Sequence, residues 1–500
     1  MLAKHLTSLN ELLIQCGQSA LVTDVAITGL TNHSQKVKAG DVFVAYQGAK
    51  SDGKSYLLQA LKAGAVAFIV DQPLSEQTHQ AIAEQRKATG QLLPVIIIAE
   101  LASKLGEWAN AFWCQPSQQL SVVGITGTNG KTTVSNLLAQ WLEAMGQSAF
   151  IIGTLGNGFL GQLKLSANTT PDALELQALF AQCVADGVSY VVMEVSSIAV
   201  DQGRINGSAF AASVFLNLSQ DHLDYHGSMA AYAEAKAQFI RHFGAIKLVN
   251  SDDELGKALL NELDQAADFG LHARDYRVAT CELSTRGIEM SIRQDTQLFS
   301  LQSSLLGAFN AQNLVAAFAV LVKLGFSAER LCQSAPMLSS PKGRMQSFVG
   351  PSGVSAVIDF AHTPDALKKV LETARALTSG RIFVVVGCGG DRDRSKRPMM
   401  AKIATELADK SWFTADNPRT ERVEQIINDM MAGVATPELV TIEYDRETAI
   451  RQATAALLPS DVLVIAGKGH EAYQEIDGVR HAYSDAQALK NVGFNEEVAA

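Results

Sequence analysis

The chain is predicted to be an α/β protein of mainly parallel sheets, and three observations point there. It has 500 residues, too many for one hydrophobic core, and roughly 150 residues per domain suggests about three domains. Short apolar runs alternate with amphipathic stretches, the pattern of repeated strand–loop–helix units. Nearly every Gly-rich polar motif follows directly on an apolar run. Open α/β sheets bind ligands beyond the carboxyl ends of their strands, so these loops are the functional candidates as a group.

In chain order, the apolar runs at 42–45 and 66–70 predict strands, 57–63 a helix, and 95–98 a further strand leading into an amphipathic helix over 101–112. The polar stretch 114–118 predicts a linker. From Leu120 the units repeat, with strands expected at 121–125, 190–195, 212–216 and 246–249. Antiparallel strands are expected around 281–300, and a helix over 313–324. A third series beyond Gly343 places strands at 357–359, 382–386, 412–414 and 462–466. The domains are therefore drawn at 1–100, 101–340 and 341–500.

Hydrophobic residues make up 47% and charged residues 18%, the balance of a packed globular protein. The net charge of −10 argues against a nucleic-acid binder, which needs a basic surface. Six cysteines at 16, 114, 183, 281, 332 and 388 show no CxxC spacing and are expected to be reduced and mostly buried. The run Met1-Leu2-Ala3-Lys4-His5-Leu6 lacks an apolar signal core, and no stretch reaches a membrane span. A soluble, cytoplasmic protein is expected.

The strongest motif is Gly127-Thr128-Asn129-Gly130-Lys131-Thr132, set between a strand and a helix start. Glycines let backbone N–H groups encircle phosphate oxygens, and the helix dipole favours the anion. Lys131 would supply charge to the outer phosphates and Thr132 a hydroxyl to Mg²⁺. Ile125 stands where the usual pattern has its first glycine, and a plain tight turn is the alternative.

Glu194 closes an apolar strand, where a buried carboxylate needs a partner such as a metal. The run 217–227 gathers Asp221, His222, Asp224 and His226 beside a helix start; Asp221 could instead cap that helix, leaving surface histidines. Lys236 alone would read as a surface lysine. Late loops carry Asp359, Arg392, Asp416-Asn417-Pro418-Arg419 and Gly467-Lys468-Gly469-His470-Glu471. Arg392 and Arg419 could clamp carboxylates while Glu471 holds an ammonium, which together would recognise an amino acid. The alternative for 391–396, including Lys396, is a solvated surface loop.

These motifs, in this order over nearly the whole chain, resemble the Mur ligase family. Further markers are Asn168-Thr169-Thr170, Glu194 to Ser197, Asn310 with Asn313, and Gly343-Arg344-Met345. The resemblance implies an N-terminal α/β domain for the UDP portion of a substrate, a central P-loop ATPase and a C-terminal Rossmann-like domain. It implies addition of meso-diaminopimelate to UDP-N-acetylmuramoyl-L-alanyl-D-glutamate, driven by ATP through an acyl phosphate, by a cytoplasmic monomer.

By the same resemblance Lys131, Lys236 and His222 would be catalytic. Thr132, Glu194, His222 and a carbamylated Lys236 would hold Mg²⁺. Gly127, Thr128, Asn129, Gly130, Lys131, Thr132, Asn310, Arg344 and Asp359 would meet ATP. Ser34, Asn168, Thr169, Thr170, Ser196, Gln202 and Arg204 would hold the UDP substrate. Arg392, Asp416, Asn417, Pro418, Arg419, Gly467 and Glu471 would hold diaminopimelate, with Arg419 pairing its distal carboxylate. Ile198 departs from the family's usual histidine, Gln35 from a common arginine, and Pro171-Asp172 is one of several variants. The rival readings are a related amide ligase, such as a folylpolyglutamate synthetase, and a non-catalytic nucleotide switch.

Overall fold

The computed structural model describes residues 3–48 and 51–496, so Met1 and Leu2 of the N-terminal run lie outside the described residues. Packing divides the chain into two compact units built from separated segments. The first comprises Met1–Gly124, Gln147–Ser213 and Gln238–Ala245, and the second Ile125–Gly146, Val214–Ala237 and Ile246–Ala500.

In the first unit, Gly29–Thr31, Asp41–Ala45, Ala67–Val70 and Val95–Ile97 form a parallel sheet in chain order. The two inner strands are buried along their whole length, which is why they read as continuous apolar runs rather than alternating ones. Helix Leu101–Phe112 has the bounds the sequence predicts. Its buried Leu101, Leu105, Trp108 and Phe112 recur at helical spacing and pack with Leu9, Leu12 and Leu13. The stretch read as a linker is instead ordered: Pro116–Gln119 is a 3₁₀ turn, Ser117 is buried, and its Oγ accepts from Ala209 N. A polar composition does not distinguish a loose linker from a turn pinned by a partner far along the chain. Strands Ala149–Gly153 and Tyr190–Glu194 pair in parallel in the same unit, with Gly156–Gly158 antiparallel at the side.

In the second unit, Ile246–Asn250, Ala267–Gly270 and Tyr276–Ser284 are parallel neighbours. Gly287–Gln294 and Gln297–Ser303 then turn antiparallel, as the alternating stretch predicts. The following helix is longer than expected, Ala308–Lys323, because Gly307 starts it at φ 91° and Asn310 is carried inside. The six thiols are all free, as expected, but only Cys183 and Cys388 are buried, and Cys281 lies exposed on the outer end of its strand. No helix among the described residues is long and apolar enough to cross a membrane.

The last sheet runs Val440–Ile442, Lys410–Phe413, Ile382–Val386, Val462–Ala466, Ser355–Asp359, Gln346–Val349 and Asn495–Glu496. Its first five strands are parallel. The neighbours Ile382–Val386 and Val462–Ala466 send the chain to opposite faces. One leads to Lys396–Leu407, packed in the core of one face, and the other to Asp485–Asn491, packed in the core of the other. Such divergence opens a crevice at the carboxyl ends, where ligands bind in α/β sheets.

A buried ion pair pins that crevice. Arg446 and Asp485 have no exposed side-chain surface, and two N–H groups of the guanidinium meet the carboxylate at 2.7 and 2.8 Å. The same guanidinium donates to Ala466 O and Ala415 O, the last residues before the loops at 467 and 416. Burial alone would lower the guanidinium, but Asp485 overrides that and holds it above its usual value. Asp485→Asn is expected to destabilise this unit by about 3–5 kcal/mol, because it strands a buried cation. Urea unfolding measures it, and a loss below about 1 kcal/mol would contradict the assignment.

Candidate functional site

The phosphate loop forms as its glycines require. Strand Ser121–Thr126 ends, and Gly130 takes φ 90° to start helix Lys131–Ala144. A Cβ at Gly130 would stand 2.5 Å from Asn313 Oδ1, so only glycine fits there. Asn217 clamps the loop from the next strand: its carbonyl accepts from Thr128 N and its Oδ1 from Asn129 N. Lys131 Nζ donates to Gly127 O and Thr128 O at 2.8 and 2.9 Å, lying across the loop where phosphate oxygens would sit. Replacing it with methionine is expected to weaken ADP binding about 100-fold or more, read by calorimetry. Unchanged affinity would remove Lys131 from the site.

Beside the loop is a cavity lined among others by Thr132, Asn217, Asn313, Arg344 and Asp359. Of the residues expected near the nucleotide, Asn129, Gly130, Thr132, Arg344 and Asp359 line this cavity together. Arg344 donates to Thr132 Oγ1 at 3.3 Å and stacks on Phe360 at 4.5 Å. Asp359 is buried and accepts from Met345 N; burial raises its carboxyl, with Arg344 opposing. Asn310 lies one step back, accepting from Asn313 Nδ2 at 2.9 Å and so orienting that amide.

Lys236 is not a surface lysine. It is 1% exposed, its Nζ donates to Gly127 O at 2.8 Å, and it lies 4.4 Å from the centre of the Tyr232 ring. Burial, and then the charge of Lys131, push it well below its ordinary value, which favours the neutral amine over the ammonium. His222 is likewise pushed down to about 4, first by burial. It is the residue just before the one-turn helix Leu223–His226, so Asp221 does not cap that helix; its Oδ1 accepts from His222 N. Asp221 instead meets His222, His362 and Lys396, each at 3.5 Å. The surface-loop reading fails for Lys396, which is 5% exposed, and the next residue, Arg397, is fully buried as well. Their partners Asp221, Glu421 and Asp429 are distant in sequence, so no local pattern marks these two cations.

In the crevice of the last sheet, Arg392 and Arg419 flank Gly389. A Cβ there would be 2.9 Å from an Nη of Arg419 and 3.7 Å from Arg392 Cγ. Arg419 takes φ 52° and donates to Gly390 O at 2.7 Å; it has no carboxylate partner among the described residues. Arg392, half exposed, pairs loosely with Asp224 at 3.7 Å. Asp416 is buried, its Oδ1 accepting from Asn417 N, and its Oδ2 would be 2.5 Å from a Cβ at Gly467. Pro418 is buried behind Gly390. Glu471 accepts from Asn417 Nδ2 at 2.8 Å and from Lys468 Nζ at 2.9 Å. Lys468 had no role in the sequence reading.

In the first unit, the expected substrate residues fall into two groups. Thr170 Oγ1 donates to Glu194 O and accepts from Ser196 N, Thr169 lies 3.1 Å from Thr154, and Arg204 reaches Thr170 O and Gln202. Asn168 is exposed and makes no hydrogen bond among the described residues. Glu194 is 1% exposed and accepts from Thr154 N and Oγ1. Ser34 belongs to a separate cavity with Asn32, Gln35, Tyr46 and Gln59. The His33–Asp172 contact at 3.5 Å links the two groups.

Three regions match Mur ligase families: residues 26–113 the catalytic domain, 125–321 the middle domain and 343–469 the glutamate ligase domain. The chain belongs to the Mur ligase family. Mur ligases form amide bonds driven by ATP, and the chain is an enzyme of that kind. It is 41% identical to the UDP-N-acetylmuramoyl-L-alanyl-D-glutamate–2,6-diaminopimelate ligase of Pseudomonas aeruginosa, over 96% of each chain. With the ligase of the same name from Vibrio vulnificus it shares 39%, over 98% of each. A solved structure of a ligase of that name superposes with a TM-score of 0.67 at 32% identity, covering 98% of this chain and 99% of the other.

Proposed function

We propose that this Mur ligase adds meso-diaminopimelate to UDP-N-acetylmuramoyl-L-alanyl-D-glutamate, in the cytoplasm and as a monomer, within peptidoglycan precursor synthesis. The observation that carries the reading is Arg419, a guanidinium without a carboxylate partner among the described residues, beside Arg392 and near an acidic Glu471. A zwitterionic amino acid with a second carboxylate complements that set; lysine lacks the carboxylate. The domain division 1–100, 101–340 and 341–500 is proposed with it, as are Ser34, Asn168, Thr169, Thr170, Ser196, Gln202 and Arg204 as contacts of the UDP substrate.

The reaction proceeds in two displacements. A carboxylate oxygen of the glutamyl residue attacks the γ-phosphorus of ATP, and ADP leaves. The amine of diaminopimelate then attacks the acyl carbon of the resulting acyl phosphate, phosphate leaves, and the new amide loses a proton to solvent. Lys131 neutralises charge on the transferred phosphoryl group, while Arg344 and Asn313 line the nucleotide cavity.

The residues suit Mg²⁺. Thr132 offers a hydroxyl, and burial disfavours the charged form of Lys236; the neutral amine is the form that combines with CO₂ to give a carbamate. Carbamylation turns a costly buried cation into a carboxylate-like oxygen donor. We assign Thr132, His222 and carbamylated Lys236 to the metal, and Glu194, a buried carboxylate, to the same duty on its own chemistry. Bound Mg²⁺ would offset the negative charge of the phosphates.

Isotope transfer tests the proposal. With ¹⁸O in the glutamyl γ-carboxylate, one labelled oxygen is expected in released phosphate, and the product is expected to gain one diaminopimelate residue. Unlabelled phosphate alongside product would refute the acyl phosphate route.

A further inference from the structure

The crevice holds a cation that the reaction does not use. Lys468 is fully buried, with Nζ 2.9 Å from both Asn417 Oδ1 and Glu471 Oε2, and 5.6 Å from the centre of the Tyr473 ring. Stability alone gives little reason for a lysine there, since a buried ion pair is often no better than an apolar side chain of similar volume. Its geometry gives a better reason. The Asn417 amide oxygen accepts from both Lys468 and Glu475 N, so its NH₂ group must face Glu471, where it donates to Oε2 at 2.8 Å. A flipped amide would turn its donors on an ammonium and an N–H. Two donors thus hold Oε2 of Glu471, while Oε1 takes no hydrogen bond from the described residues.

We propose that Lys468 is a positioning residue for amino-acid recognition: it fixes the Asn417 amide and the Glu471 carboxylate so that Glu471 Oε1 receives the ammonium beside the carboxylate read by Arg419. The proposal rests on the diaminopimelate reading above. Lys468 does not touch the substrate; it acts through Asn417 and Glu471. Its removal therefore weakens one substrate and spares the others, which a purely structural lysine would not do.

The test is a cycle of Lys468→Met, Glu471→Gln and the double variant, with KM measured separately for diaminopimelate, ATP and the UDP substrate. Lys468→Met is expected to raise KM for diaminopimelate about 30-fold, the loss typical of breaking a buried charge pair. KM for ATP should stay within about twofold, and adding Lys468→Met to Glu471→Gln should cost less than about threefold more, because coupled residues are not additive. Losses that multiply, an equal rise for ATP, or an unchanged KM for diaminopimelate would each overturn the proposal. If Lys468→Met does not bind ADP and so has not folded, Lys468→Gln, which keeps a neutral donor for Asn417, is judged by the same criteria. A wild-type enzyme idle with diaminopimelate would overturn the functional reading itself, before any variant is compared.

Discussion

Replacing Lys236 by alanine is expected to lower kcat about 10³-fold or more, with the fold intact and with added bicarbonate unable to restore it. The reason begins with burial. An ammonium without exposed surface, close enough to Lys131 to feel its charge, is held mainly by one carbonyl and a ring face, and Asp221 and Asp253 offset the repulsion only in part. Burial and the charge of Lys131 both favour the neutral amine, which is the form that would capture CO₂. On the proposed carbamylation, alanine removes the oxygen donor and leaves bicarbonate nothing to modify. It also removes a group that is costly to bury, so unfolding should shift far less than activity. The check pairs single-turnover phosphate release with a thermal melt. Near-normal turnover in the variant would end the metal-ligand assignment, and a collapsed melt would mean that Lys236 acts through packing.

Arg419→Ala is expected to lower kcat/KM for diaminopimelate about 10³-fold while KM for ATP moves less than about twofold. The backbone holds this arginine in a left-handed conformation, between Glu475 O, which accepts from its N–H, and Asp477 N, which donates to its carbonyl. Its side chain donates to Gly390 O, leaving N–H groups of the fork for a substrate carboxylate. A site built for a bidentate anion discriminates strongly, because the analogue lacking that anion leaves the guanidinium unpaired. Lysine should therefore gain relative to diaminopimelate in the variant. Equal losses for ATP and diaminopimelate would show that Arg419 supports the fold and not the choice of amino acid.

Much of this was legible in the chain, for a physical reason. Strands buried on both faces are continuous apolar runs, so Ile382–Val386 and Val462–Ala466 have the bounds the runs predict, and the Gly-rich loops after them mark the crevice. Local chemistry also marks the phosphate loop, where glycine, lysine and threonine stand within six residues. Less legible was anything decided by partners far along the chain. Lys236 reads as a surface lysine, Lys396 as part of a solvated loop and Lys468 as nothing in particular, because their burial depends on Gly127, Asp221 and Asn417. The stretch before Leu120 read as a linker because the Ser117–Ala209 bond spans 92 residues. The start of helix Ala308–Lys323 was missed because Asn310 is buried there, where a polar residue argues against an apolar helical face.

Joining an amino acid at the expense of ATP is read from phosphate release. The enzyme is given ATP, Mg²⁺ and UDP-N-acetylmuramoyl-L-alanyl-D-glutamate, with meso-diaminopimelate, with L-lysine, or with neither. Release that depends on diaminopimelate is the predicted result. Release with lysine instead would keep the Mur ligase chemistry and overturn the role of Arg419, and no release with either amino acid would contradict the account.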